Sequence, residues 1–75
     1  MMRKLTSKEI EKFANRPGVK KVAVENFLNS MGTDITEIIG NVVIDARLYG
    51  WNQETINAIM EGAWMATGLE EGVVV

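Results

Sequence analysis

Ala46-Arg47-Leu48-Tyr49-Gly50-Trp51-Asn52-Gln53-Glu54-Thr55-Ile56-Asn57-Ala58-Ile59-Met60-Glu61-Gly62 reads as two helices meeting at a tight glycine turn. Helices that cross closely need a small residue at the crossing, and Ala46 supplies it. The turn needs a backbone that can go left-handed, which glycine does without a Cβ penalty; Gly50 stands there. Trp51 follows as an apolar plug beneath the turn. Asn52 is placed to cap the second helix, with Ile56 and Ile59 as its inward anchors. This corner predicts an all-α chain, and the rest is read outward from it.

Downstream, the last helix runs from the Asn52 cap to about Ala66–Thr67, before Gly68. Upstream, Asp34 with Glu37 opens a helix through Ile35, Ile38, Ile39, Val42, Val43, Ala46 and Tyr49, while Ile44 and Leu48 add a second apolar face. A helix apolar on nearly all sides belongs at the centre of a bundle. Gly40-Asn41 leaves open whether residues 35–49 form one helix or two. Before that, a helix from about Val19 to Met31 buries Val24, Phe27, Leu28 and Met31, with Gly32 as its stop. At the start of the chain, Thr6-Ser7-Lys8-Glu9 fits a capping box. Ile10, Phe13 and Ala14 form the buried face of this first helix, and Arg16-Pro17-Gly18 ends it because the residue before proline avoids the α region. The expected fold is one all-α domain over residues 1–75, a small bundle of four or five helices. Residues 1–5 and 69–75 are read as flexible or partner-bound tails, with strand-like Val73-Val74-Val75 at the end.

Composition removes several functional classes. With no Cys and no His among 75 residues, the chain can build neither a disulfide nor a thiolate or imidazole metal site. Asp34, Glu37 and Asp45 fit helix-capping and solvated roles rather than a metal cluster. Ser7 and Ser30 have no evident base, and no glycine-rich phosphate loop is present, so an enzyme and a cofactor are not expected. No stretch approaches the ~18 apolar residues of a membrane span. Met1-Met2-Arg3-Lys4 leads into polar sequence rather than an apolar signal segment, which fits a cytoplasmic location. A domain of this size buries only about 60% of its unfolded surface, so oligomerisation is the staple left to it.

Charge is split along the chain. Residues 1–21 hold Arg3, Lys4, Lys8, Lys12, Arg16, Lys20 and Lys21 against Glu9 and Glu11. Residues 22–75 hold Arg47 against Glu25, Asp34, Glu37, Asp45, Glu54, Glu61, Glu70 and Glu71. Such a split marks either a nucleic-acid-binding arm or two ends that attract one another.

Over about residues 42–62, the order Ala46, Gly50, Trp51, Ile56, Ile59 resembles the helix-turn-helix of phage repressors and Cro proteins. The resemblance implies a DNA-binding, transcription-regulator-like protein, a homodimer, with double-stranded DNA as its partner. Gln53 and Asn57 fall where that family's reading side chains lie, and both can make bidentate contacts to adenine. Asn52 stands at the start of the same helix, on the face that would meet bases. That face also carries Glu54, Ala58 and Glu61 and no cation, so phosphate contacts would come from Arg47, from Lys8, Lys12 and Arg16, from Lys20 and Lys21, or from the Arg3-Lys4 arm. The other reading of the same residues is a helical hairpin in a protein–protein interaction module. Its partner surface would be the acidic C-terminal half or the apolar pair Trp64 and Met65 on the last helix.

Overall fold

The computed structural model describes residues 3–68, which form α1 (Ser7–Ala14), α2 (Lys21–Ser30), α3 (Ile35–Tyr49) and α4 (Gln53–Thr67). Three of the four helices begin at a side chain that takes up free amide groups. Thr6 and Glu9 form the expected capping box: the Glu9 N–H donates to Thr6 Oγ1 at 3.2 Å and the Thr6 N–H to Glu9 Oε1 at 2.9 Å. Asp34 accepts from the N–H groups of Thr36 and Glu37, and Asn52 from that of Thr55. α2 has no side-chain cap; Lys20 occupies its N-cap.

α2 is shorter at both ends than the sequence reading of about Val19 to Met31, and the question left open over residues 35–49 is answered. α2 stops at Ser30 rather than at Gly32, because Met31 turns extended (φ −66°, ψ 145°) and its side chain packs against the core. α3 is one helix, unbroken at Gly40-Asn41; positive φ occurs at Gly18, Gly50 and Gly68, so Gly40 stays in the right-handed region. At the end of α3, Gly50 is left-handed (φ 66°), and the N–H groups of Gly50 and Trp51 both donate to the Ala46 carbonyl. That closure is an αL cap in which both N–H groups share one carbonyl, and it ends the helix at a glycine that takes the left-handed conformation without a Cβ penalty.

The central helix is α4, not α3. α4 packs against α1, α2 and α3, whereas α3 packs on α4 alone among the described helices. Residue size explains the exchange. α4 presents Ala58, Gly62, Ala63 and Ala66 to its neighbours, all buried, and small side chains let three helices approach one. At Gly62 the approach is close: a Cβ there would lie 2.7 Å from Leu28 Cδ1. α3 instead buries only Ile38 and Val42 fully, while Ile39, Val43, Ile44, Leu48 and Tyr49 face outward.

The core joins Ile10, Phe13 and Ala14 of α1, Val24, Phe27 and Leu28 of α2, Ile38 and Val42 of α3, and the inner face of α4. Leu5 also belongs to it, and the Arg3 N–H donates to the Ala66 carbonyl at 2.8 Å. Residues 3–5, read from sequence as part of a tail, are therefore held against the end of α4. The tail expectation for residues 69–75, with its strand-like valines, lies outside the described residues.

Candidate functional site

Ile59 is fully buried, Ile56 and Trp51 are partly buried against the core, and Ala46 is partly buried where α3 approaches the turn. Trp51 meets Phe27 of α2 edge-on with ring centroids 5.8 Å apart, and Tyr49 stacks on its other side at 6.3 Å. The plug beneath the turn thus ties α3 and α4 to α2.

The Asn52 side chain is bonded within the fold. Its Oδ1 accepts from the Thr55 N–H and the Thr55 hydroxyl, and its Nδ2 donates to the Gly18 carbonyl at 2.6 Å. Thr55, the buried polar side chain of the core, in turn accepts from the Lys20 N–H at 2.8 Å. Gly18, Lys20, Asn52 and Thr55 therefore form one hydrogen-bonded clasp between the α1–α2 turn and the start of α4. The clasp was missed in sequence, where Thr55 reads only as a residue three past a cap. Nothing local reveals that its hydroxyl meets a backbone group 35 positions away.

The outward stripe of α4 is narrow. Gln53, Glu54, Asn57, Glu61 and Trp64 are exposed; Ala58, placed on the same face by the sequence reading, is fully buried. Gln53 Nε2 donates to Asn57 Oδ1 at 2.9 Å, so the two candidate adenine readers are bonded to each other. Arg16 makes a two-pronged ion pair with Glu61 at 2.8 and 2.9 Å and lies over the Phe13 ring. The guanidinium holds the Glu61 carboxyl below its ordinary value through those hydrogen bonds. One acid of the stripe is thereby neutralised, and the basic end of α1 is brought beside it.

The remaining cations are not gathered there. Lys8, Lys12, Lys20, Lys21 and Arg47 are exposed and, among the described residues, form no ion pair. Arg3 is committed to Glu9 by two bonds of 2.8 and 2.6 Å. This pair, with the Thr6 N–H, lowers the Glu9 carboxyl from 4.5 to about 2. Of the two residues named as a partner surface, Trp64 is 43% exposed and Met65 is partly buried against the core.

The largest feature was misassigned in sequence. Ile39, Val43, Ile44 and Leu48 were read as interior packing, and they line the outer side of α3 at 39%, 53%, 61% and 69% exposure. Ile44 and Leu48 do not share a stripe with Ile38 and Val42, and that mismatch is the sequence trace of an outward face. On the α2 side, Tyr49, Asp45, Trp51, Phe27, Val22 and Lys20 line an open groove of about 500 Å³. No helix among the described residues is long and apolar enough to cross a membrane. No protein-family model, curated protein or solved structure matches the chain.

Proposed function

We propose that the chain is a small helical protein–protein interaction module that receives its partner on the outer face of α3. The observation that carries this is the exposure of Ile39, Val43, Ile44 and Leu48 on one helix. Soluble monomers rarely expose contiguous apolar patches beyond a few hundred Å² unless the patch binds something. The helix gains little from its own chain in return, since it packs on α4 alone among the described helices. A benzophenone side chain placed at position 44 should capture a protein in cells, while the same group at position 12 on α1 should not. Absence of any adduct at position 44 refutes the reading.

Duplex DNA binding is the second reading. It draws on the left-handed Gly50 corner and on the Arg16–Glu61 pair, which sets α1 beside the outward stripe of α4. Against it, α4 is held by three helices and offers Gln53 and Asn57 already bonded together. Groove reading by this stripe predicts retardation of duplexes that weakens steeply with salt and falls on every sequence in Lys8→Ala/Lys12→Ala. A protein that shifts no duplex at low salt does not read DNA.

A further inference from the structure

We infer that the partner on α3 is a second copy of this chain, paired helix against helix in antiparallel sense. The inference rests on the interaction-module reading and adds to it the identity of the partner.

Gly40 is the first observation. It sits in the interior of a 15-residue helix, in right-handed conformation, and a Cβ there would meet nothing within 4 Å. Neither backbone geometry nor packing among the described residues requires glycine at this position, and glycine weakens a helix relative to alanine. Its position on the helix supplies the missing reason. With 3.6 residues per turn, Gly40, Ile44 and Arg47 point away from buried Ile38 and Val42. Ile39 and Val43 flank them on one side and Leu48 on the other. Glycine at the middle of an exposed apolar face is what a close helix crossing uses, because the absent side chain lets the two axes approach.

Register follows from the same face. A two-fold axis level with Val42 sets Ile44 of one copy over Gly40 of the other, twice by symmetry, so an outward isoleucine fills the gap left by the missing side chain. An isologous contact of this kind is the commonest form of soluble homodimer. The axis also brings Glu37, near the N-terminal end of the face, level with Arg47 of the second copy at both ends. Parallel pairing would instead set Glu37 beside Glu37 and Arg47 beside Arg47. The helix dipoles oppose one another in the antiparallel arrangement as well.

The four outward apolar side chains together expose roughly 400 Å² per chain, so a pair that covered them would bury roughly 800 Å² of apolar surface, the scale of a weak, concentration-dependent interface. Dimerisation through α3 also reinforces the helix that the single chain holds least.

Sedimentation equilibrium on the full chain tests the proposal. The expected result is a dimer at high micromolar concentration. Ile44→Glu and Gly40→Leu should each weaken it by more than about tenfold with the helical far-UV spectrum retained, because neither position is packed in the single chain. Gly40→Leu separates pairing from simple helix propensity. It should raise the melting temperature of the dilute monomer while it breaks the dimer. Glu37→Arg or Arg47→Glu should weaken association, and the two together should restore it, which parallel pairing does not allow. A chain that stays monomeric at millimolar concentration overturns the proposal, as does a dimer indifferent to both Ile44→Glu and Gly40→Leu. If the chain is monomeric yet position 44 still captures a different protein in cells, self-pairing fails and the interaction-module reading stands.

Discussion

Thr55 shows how much one hydroxyl can organise in a domain this small. It is fully buried, accepts from the Lys20 N–H and donates to Asn52, which itself holds the Gly18 carbonyl. Removing the hydroxyl leaves a backbone N–H and a carboxamide oxygen short of a partner, and an unsatisfied buried polar group costs about 1–3 kcal/mol. Thr55→Val should therefore lower the unfolding free energy by that order, read as a lower urea midpoint with an unchanged m-value, while Thr55→Ser recovers most of the loss. Glu9 offers a test by pH. Its carboxyl is held at about 2 by Arg3 and the Thr6 N–H, against 4.5 when free. A depressed acid stabilises the fold fully above its unfolded value and loses that contribution as pH falls through the folded one. The tether of residues 3–6 to α1 should accordingly weaken between about pH 4.5 and pH 2. The Glu9 carboxyl titration followed by NMR should have its midpoint near the lower end, and Arg3→Ala should return it toward 4.5.

Two glycines in helix interiors make opposite predictions at the scale of elements. At Gly40 of α3 a Cβ meets open space, so Gly40→Ala should stabilise the dilute chain by roughly 0.5–1 kcal/mol. At Gly62 of α4 a Cβ would lie 2.7 Å and 2.9 Å from the two methyl carbons of Leu28, itself buried. Leu28 has little room to move in a close-packed core, where overpacking typically costs 1–3 kcal/mol; Gly62→Ala should destabilise despite its better helix propensity. Thermal or urea unfolding of the two variants side by side reads the signs directly. The same contrast separates the helices in the faces they expose. Gly62 lets α4 serve as the hub, and Gly40 has no such use within the chain. α4 consequently has only a narrow outward stripe, whereas α3 offers a broad one.

For the whole molecule, the arrangement of three helices on α4 predicts a gradient of local stability. Amide exchange should be slowest in α4 and fastest, among the helices, in α3, because an element with one packed neighbour opens at lower cost. If α3 pairs with a second copy, its protection should rise with protein concentration while that of α1 stays level. Much of the architecture was legible along the chain. The Thr6/Glu9 box, the Asp34 and Asn52 caps, the left-handed Gly50 and the buried faces of α1 and α2 are local patterns, set by hydrogen bonds and side chains within one or two turns. The fold class and the turn chemistry were therefore determined by the sequence itself. The order of burial was not. Apolar content alone made α3 look like the interior helix, and the small residues of α4 did not announce that three neighbours would close on it. Which helix becomes central depends on how closely non-local partners can approach. That distance is set by Leu28 over Gly62 and by Lys20 meeting Thr55, contacts across 34 and 35 positions that no local pattern encodes. Only the tertiary structure could decide that Asn52 serves the fold, that Ala58 is buried, and that Ile44 and Leu48 face out.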